Sequence, residues 1–338
     1  MDLKVYTFLF YGHGCEYILH SLYKKMMTEG YECLEIDTLN TPVESAIKDL
    51  QKKKIIFITS AHLLLDDHNF QNYYHSKHRI YSPLELISII NPALSIHMPH
   101  DLSCPYLIEE IPFLKQFELC LLPHKDCNFY DSFTKCIISG YPKLGVTNLP
   151  TGNIANKAGN QKGGEKNKAI WILSNLTTHL EQGFDNFIKW MKPITSQNIP
   201  VKLPLWNHSD TIEKQLQQAG ITTIPAKLNI FKAMDENEVI ITNGSSSIVM
   251  EAHLYGKKVA HITDNLEPTQ QINMFNHLPN ISFYSSPENL DINSLYSETP
   301  SNAKNKTKQA LKKLLTPFSM DLFFDTLKAA LKRNKEEE

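Results

Sequence analysis

Short apolar segments alternate with segments of helical periodicity along most of the chain. The first half holds five strand-like segments, at residues 4–10, 32–36, 54–59, 94–98 and 119–122. Segments with helical spacing lie between or after them, at residues 16–28, 43–51, 106–115 and 130–137. Consecutive parallel strands need a crossover connection, usually a helix, so this alternation predicts parallel sheets covered by helices on both faces. The sequence therefore predicts an α/β fold.

A polar stretch divides this pattern into two parts. Residues 151–168 are rich in Gly, Asn and Lys and contain a single isoleucine, so they cannot supply a core and are expected to form a linker or exposed loop. We therefore expect a doubly wound, Rossmann-like domain in residues 1–150 and a second in residues 169–316. Residues 317–338 are expected to form a C-terminal helix.

The second half repeats the alternation without repeating the sequence. Its strand-like segments are residues 168–173, 200–203, 222–224 and 238–241, and helices are expected near residues 180–191, 211–219 and 228–234. Open parallel sheets bind ligands at the carboxyl ends of their strands. A polar motif that directly follows a strand is therefore a candidate for binding or catalysis.

The composition excludes several classes of protein. A net charge of −2 gives no overall field that favours nucleic acid, so no nucleic-acid partner is expected. No apolar run approaches the roughly 20 residues of a membrane-spanning helix, and the apolar amino terminus is read as a strand rather than a signal peptide. The six cysteines form no CxxC pair and favour a reduced, cytoplasmic protein. Lysines at residues 304–313 fit either a solvated helix face or a peripheral contact with the inner face of a membrane.

The segment 239–262 contains the strongest candidate site. An apolar strand ends at Thr242, and Asn243 and Gly244 predict a tight turn because both tolerate positive φ. Three serines then open the next helix: Ser245, Ser246 and Ser247. Backbone N–H groups at a helix start, together with three hydroxyls, suit a phosphate. The alternative is that these serines only cap the helix, although three exceed what one cap needs.

Glu251 lies one helical turn after Ser247, so both side chains are expected on the same face of the helix. A carboxylate at this place can accept hydrogen bonds from the hydroxyls of a ribose. The alternative interpretation is an ordinary solvated residue on the surface of the helix.

A Gly-His-Gly motif directly follows the first strand. Gly12 and Gly14 allow the backbone to approach a ligand closely, and they flank His13. The spacing is not the GxGxxG fingerprint, so it gives little support to a dinucleotide fold. The motif predicts a phosphate or acceptor loop, and the alternative is a surface histidine in a turn.

A second histidine motif follows the strand-like segment 94–98. His100 lies beside Asp101, and a histidine near neutral pKa that is oriented by a carboxylate is a candidate general base. His97 and His100 with Asp101 also suggest a metal, but no further patterned ligand completes a zinc site. We therefore expect no metal.

The segment 240–252 resembles the donor-binding signature of GT-B glycosyltransferases, in which a Gly- or Ser-rich turn precedes a helix carrying a Glu-Ala pair, here Glu251 and Ala252. It is similar to the branch with paired serines, which includes CDP-glycerol glycerophosphotransferases, bacterial sialyltransferases and capsule transferases. The resemblance implies that the three serines hold a nucleotide phosphate and that Glu251 holds the ribose. It also implies two Rossmann-like domains facing a cleft, with the last helix crossing back to the first domain.

The resemblance implies roles for three further residues. Gln270 lies where many GT-B transferases have a polar loop that contacts donor hydroxyls. His208 lies near the place of a His-Pro element whose histidine meets donor phosphate, although here the proline comes earlier; Ser209 is alternatively the cap of the next helix. His13 lies where several GT-B transferases carry a histidine near the acceptor and donor phosphate.

The resemblance leads to a functional hypothesis with two alternatives. The leading hypothesis is a metal-independent glycosyltransferase or glycerophosphotransferase without a resident cofactor, which moves a group from a nucleotide-sugar or CDP-linked donor to a glycan or lipid-linked acceptor. His100, with His13 as the second candidate, would take the proton of the acceptor hydroxyl. The alternatives are an enzyme resembling UDP-sugar 2-epimerases, which needs no acceptor, and a non-catalytic GT-B scaffold.

Overall fold

The computed structural model places the chain in two compact units. The described residues are 2–12, 19–37, 41–61, 79–98, 111–122, 135–140, 142, 169–174, 176–204, 209–226, 228, 230–244, 246, 248–254, 256–263, 281–297 and 318–337. One unit comprises Met1–Ala158 and Lys313–Glu338, and the other comprises Gly159–Lys312. The first division between the units falls inside the polar stretch 151–168.

The first unit is built on a six-stranded parallel sheet. Its strands are β1 (Thr7–Gly12), β2 (Glu32–Asp37), β3 (Ile55–Thr59), β4 (Leu94–His97), β5 (Leu119–Leu122) and β6 (Cys136–Ile138). The helices between them are α1 (His20–Thr28), α2 (Glu44–Leu50), α3 (Pro83–Ile90) and α4 (Ile111–Leu114), and a short 3-10 turn, Leu3–Val5, precedes β1. The strand order is β2-β1-β3-β4-β5-β6, so the order reverses between β1 and β3.

The second unit is built on another six-stranded parallel sheet. Its strands are β7 (Ala169–Ile172), β8 (Val201–Lys202), β9 (Thr223–Ile224), β10 (Val239–Asn243), β11 (Lys258–Ile262) and β12 (Ile281–Tyr284). Its helices are α5 (Thr177–Glu181), α6 (Phe184–Thr195), α7 (Ser209–Gln218), α8 (Ile230–Asp235), α9 (Ile248–Leu254) and α10 (Ile292–Ser297), with a 3-10 turn at Pro287–Asn289. The strand order β12-β11-β10-β7-β8-β9 reverses between β7 and β10.

The C-terminal helix α11 (Met320–Glu337) packs on the first unit. Its Phe324 ring lies 4.9 Å from the ring of Tyr31, which precedes β2. Near its other end, Nδ2 of Asn334 donates to Oε1 of Glu118 at 2.7 Å and to the carbonyl of Ala93 at 3.3 Å. Because Ala93 and Glu118 precede β4 and β5, the helix lies along the amino ends of the strands.

No helix within the described residues combines the length and the apolar character needed to cross a membrane. The longest helix given above, α11, carries charged residues in its first and last turns, at Asp321 and Lys335.

The central strands of each sheet are buried on both faces, which explains the near-continuous apolar runs in the sequence. Phe8, Leu9, Phe10 and Tyr11 are all fully buried in β1, although neighbouring side chains point to opposite faces. In the second unit, Ile240 and Ile241 of β10 are likewise buried. Such runs are expected only where helices cover both faces, as in a doubly wound sheet.

Helix ends follow their local sequence signals. Helix α3 begins after Ser82, whose hydroxyl accepts a hydrogen bond from the amide of Glu85 at 3.2 Å, and Pro83 occupies the first helical position. The helix ends at Asn91, which adopts the left-handed conformation with φ of 46°. Asparagine tolerates this conformation better than most residues.

The prediction of an α/β fold with two parallel sheets is confirmed, but individual elements differ from their predictions. The single helix expected near residues 180–191 is two helices, α5 and α6, which Gly183 separates with a φ of +95°. Residues 130–137 were expected to be helical, but Cys136–Ile138 forms the edge strand β6, in register with Cys120–Leu122 of β5. The three-residue run Cys-Ile-Ile is too short for its periodicity to separate a helix from a strand. Strand β12 (Ile281–Tyr284) was not predicted at all. Its sequence Ile-Ser-Phe-Tyr is interrupted by a serine, which fits its half-buried position, so it shows no continuous apolar run.

Candidate functional site

The carboxyl ends of β7 and β10 meet where the strand order of the second sheet reverses. The amide of Ser174, just after β7, donates to Oδ1 of Asn243 at 3.0 Å, and Nδ2 of Asn243 donates to the carbonyl of Ser174 at 2.5 Å. The hydroxyl of Ser174 donates in return to the carbonyl of Asn243. Open α/β sheets bind ligands at such a reversal. The predicted turn at Asn243 and Gly244 therefore lies at the expected ligand position.

Gly244 forms the turn that leaves β10. Its φ is +61°, in the left-handed region that favours glycine. Its amide donates to the carbonyl of Ile262 at the end of β11, at 3.1 Å. The turn is thus attached to both neighbouring strands, and the amide of Gly244 is already used within the protein.

Ser246 caps the start of α9. Its hydroxyl accepts a hydrogen bond from the amide of Ile248, and its carbonyl accepts one from the amide of Val249, both at 3.3 Å. The capping interpretation therefore holds for Ser246, which is 8% exposed. A serine hydroxyl that accepts one hydrogen bond still carries a proton that it can donate to an anion. Ser245 and Ser247 lie outside the described residues.

Helix α9 is buried on more than one side. Glu251 is 0% exposed, as are Val249, Met250 and Ala252. The interpretation of Glu251 as a solvated surface residue is therefore wrong. A carboxylate in this position is enclosed by protein, which strengthens its electrostatic interactions relative to those in water.

His253, also on α9, is a buried histidine that was not among the predicted site residues. It is fully buried, and neither ring nitrogen has a hydrogen-bond partner in the described part of the chain. Burial lowers the pKa of His253 to about 4, because the charged form loses its hydration. The imidazole is therefore neutral at physiological pH.

Three buried polar side chains near the carboxyl ends of strands in the second sheet were also not predicted. Oγ1 of Thr242 lies 2.8 Å from Nδ1 of His261 in the adjacent strand, and both are buried. Lys202, at the end of β8, donates from Nζ to the carbonyl of Ala226 at 2.7 Å. Burial lowers the pKa of Lys202 to about 8, although Glu213 opposes the shift.

Gly12 ends β1 at the strand-order reversal of the first sheet. Its φ of 143° lies in the region that favours glycine, which is consistent with the close backbone approach predicted for this loop. The hydroxyl of Ser60, just after β3, is buried and has no hydrogen-bond partner among the described residues. His13 and Gly14 lie outside the described residues.

His97 is a buried core residue. Its Nε2 lies 3.0 Å from the carbonyl of Ala61, and since a carbonyl only accepts, Nε2 carries the proton. The ring packs edge-on against Phe113 and Phe117 at 5.4 and 5.1 Å. Across the residues that the structure describes, no three His, Cys, Asp or Glu side chains are grouped to hold a metal ion.

A histidine–carboxylate pair in the first unit was not predicted. Nδ1 of His20, the first residue of α1, lies 3.1 and 3.0 Å from the two carboxylate oxygens of Glu35. A carboxylate only accepts, so Nδ1 is the donor and the neutral tautomer has its lone pair on Nε2. The separation of 15 residues between the partners, across a helix and an edge strand, hides this pair from local sequence patterns.

The remaining predicted site residues cannot be compared with the structure. His100, Asp101, His208 and Gln270 all lie outside the described residues. Of the predicted donor-side residues, the structure thus describes Gly244, Ser246 and Glu251, and it places all three within or beside the single connection between β10 and β11.

No protein-family model matches the chain, and no curated protein matches its sequence. Solved structures do match over nearly its whole length. A structure of the wall teichoic acid polymerase TagF, soaked with CDPG, has a TM-score of 0.57 at 11% identity and covers 99% of this chain and 90% of that chain. The glycotransferase of kitacinnamycin has a TM-score of 0.52 at 10% identity and covers 96% of this chain and 99% of that chain. Together with the two doubly wound parallel sheets, this similarity shows the GT-B fold.

Proposed function

We propose that this chain is a transferase that moves a group from a nucleotide-activated donor to an acceptor hydroxyl in the synthesis of a bacterial surface glycan. The observation that carries the proposal is the turn between β10 and α9, which stands at the strand-order reversal of the second sheet with Gly244 in the left-handed conformation. The fold is shared with proteins named as a wall teichoic acid polymerase and a glycotransferase, which supports the same class of reaction.

The donor phosphate is proposed to bind at this turn. Ser246 can donate its hydroxyl proton to a phosphate oxygen while it still accepts from the amide of Ile248. The resemblance to the paired-serine transferases supports the same role for Ser245 and Ser247. Hydroxyls and backbone amides can stabilise the charge of a phosphate leaving group without a metal ion, so the reaction is proposed to need neither a metal nor a resident cofactor.

The ribose of the donor is proposed to bind Glu251. The carboxylate is fully buried, so the residues that cover it must move aside when the nucleotide enters. A buried carboxylate that accepts from ribose hydroxyls forms stronger hydrogen bonds than a solvated one. His208 and Gln270 are proposed to complete the contacts to the phosphate and the donor hydroxyls.

The acceptor is proposed to bind at the carboxyl edge of the first sheet, where Gly12 lies. The loop with His13 and Gly14 would approach the acceptor, and His100 with Asp101 would take its proton. The proposed acceptor is a glycan or a lipid-linked molecule in the cytoplasm. A lipid-linked acceptor would bring the protein to the inner face of the membrane.

The test is product formation from a panel of CDP-, CMP- and UDP-linked donors, with and without polyol or glycan acceptors. The proposal predicts a product only when an acceptor is present. His100→Ala should lower kcat by about 10²–10⁴-fold and leave donor affinity unchanged, because the base acts on the acceptor alone. Ser246→Ala should raise the dissociation constant of the donor.

Two other outcomes would contradict this function. Conversion of a UDP-sugar without any acceptor would indicate an epimerase. Nucleotide binding without turnover across the whole donor panel would indicate a non-catalytic scaffold. Full activity in both His100→Ala and Ser246→Ala would show that the site residues are assigned wrongly.

A further inference from the structure

Asn243 and Ser174 form a reciprocal set of three hydrogen bonds between residues 69 positions apart in the chain. The side-chain amide of Asn243 binds both the amide and the carbonyl of Ser174, at 3.0 and 2.5 Å. The hydroxyl of Ser174 binds the carbonyl of Asn243. Each residue thus fixes the backbone of the other, and we call this set the Asn243–Ser174 clamp.

The clamp lies at the carboxyl ends of β7 and β10, where the strand order of this sheet reverses. Thr242 pairs with Ile172 in register, so Asn243 and Ser174 lie just beyond the paired ends of β10 and β7. Asn243 is fully buried, and its buried amide would cost free energy if it were not hydrogen-bonded.

The clamp and the Gly244 amide hold the turn from two sides. Gly244 binds the carbonyl of Ile262 at 3.1 Å, which fixes the turn to β11, and Asn243 fixes the residue before it to the segment after β7. The backbone at residues 174, 243 and 244 is therefore held in place before a ligand arrives. Ordering a loop in advance raises affinity, because the loop loses less conformational entropy on binding.

We propose that Asn243 is a positioning residue for the donor. Its side-chain amide joins Ser174, after β7, to the turn after β10. Ser174 and the turn would then contact the donor phosphates in an arrangement that exists before the donor binds. This inference rests on the proposed function, since it assumes that a nucleotide-linked donor binds at the turn. It adds Ser174, just after β7, to the donor site.

The experiment measures the dissociation constants of CDP and UDP by calorimetry for the wild type, Asn243→Ala and Ser174→Ala. A single hydrogen bond is worth a factor of roughly 2–12, so loss of two bonds in Asn243→Ala should weaken binding by about tenfold or more. Ser174→Ala removes one bond and should have a smaller effect. This milder variant keeps the test valid even if Asn243→Ala folds poorly.

Asn237→Ala is the matched control. Asn237 is also buried and lies at the opposite end of the same strand, where its Nδ2 donates to the carbonyl of Ala233 at 2.8 Å. Loss of this bond should lower the melting temperature without changing nucleotide affinity. A purely structural role of Asn243 would give the same pattern as the control.

A double-mutant cycle with Ser246→Ala separates positioning from general stability. If Asn243 acts by placing the turn, its effect on affinity should shrink once Ser246 can no longer bind the phosphate. Additive effects, or unchanged affinity in Asn243→Ala and Ser174→Ala while the wild type binds, would overturn the inference and leave the proposed function intact. A wild type that binds no nucleotide would overturn both.

Discussion

The amide of Gly244 donates to the carbonyl of Ile262 at 3.1 Å, so the turn that leaves β10 is attached to the end of β11. Residue 244 makes this contact with its backbone in the left-handed conformation. Its φ is +61°, a value that residues with a Cβ adopt only at a cost in free energy. A substitution of Gly244 should therefore change both the geometry of the proposed phosphate turn and the free energy of unfolding.

Replacement of Gly244 by alanine should destabilise the protein and weaken nucleotide binding. The left-handed conformation costs a residue with a Cβ roughly 1–2 kcal/mol, which denaturant unfolding can measure. Gly220→Ala is the control: Gly220 also has a positive φ, of +80°, and an added Cβ would meet nothing within 4 Å. Both variants should lose stability, but only Gly244→Ala should lose affinity for a nucleotide. Equal affinity in the two variants would argue against a ligand at the turn.

His253 should make the protein less stable as the pH falls below about 6.5. Burial lowers the pKa of His253 to about 4 in the folded state, whereas the unfolded chain has a value near 6.5. Between these values the unfolded state binds more protons, so stability rises with pH and is lost on acidification.

A His253→Leu variant isolates this contribution. The free energy of unfolding of the wild type should fall by about 2 kcal/mol more than that of the variant between pH 7 and pH 5. Denaturant unfolding at the two pH values measures the difference. If the free energy of unfolding falls equally in the wild type and the variant between pH 7 and pH 5, His253 is protonated at the same pH in the folded and unfolded states.

Glu251 should confer a preference for ribonucleotides over 2′-deoxyribonucleotides. A hydrogen bond to a charged group is worth about 1.5–3 kcal/mol, so the wild type should bind the ribonucleotide roughly tenfold or more tightly. Glu251→Gln keeps the shape of the side chain and removes its charge, which should reduce this preference. Calorimetric titration with CDP and 2′-deoxy-CDP measures it.

The control for this variant is Glu236→Gln, which changes an exposed carboxylate in the same unit. It should leave the ribonucleotide preference as it is in the wild type. If Glu251→Gln binds both nucleotides like the wild type, the ribose contact is assigned to the wrong residue.

Much of the fold could be predicted because its signals are local. The connection from β10 through α9 to β11 follows from an apolar strand, an Asn-Gly turn and Gly256 just after the helix, all within 25 residues. The edge strand β6 was missed because its three apolar residues carry no clear period. Short elements of this kind are decided by their pairing with β5 rather than by their own sequence.

The site was harder to predict than the fold, because its contacts join distant segments. The Asn243–Ser174 clamp depends on β7 lying beside β10, and no local pattern gives that strand order. The burial of Glu251 likewise depends on the residues that pack around α9. Its position one helical turn after Ser247 could be predicted from the sequence spacing alone. Sequence therefore located the turn, and the three-dimensional structure was needed to find the residues that hold it.

The most direct test of the account is thermal shift of the wild type with CMP, CDP, UDP, GDP and ADP, repeated for a variant with Ser245, Ser246 and Ser247 all changed to alanine. A ligand that binds only the folded state raises the melting temperature, by an amount that depends on its affinity. The account predicts that one nucleotide shifts the wild type selectively and that the triple variant loses this shift. A wild type that responds to none of the nucleotides, or a triple variant that keeps the full shift, would contradict it.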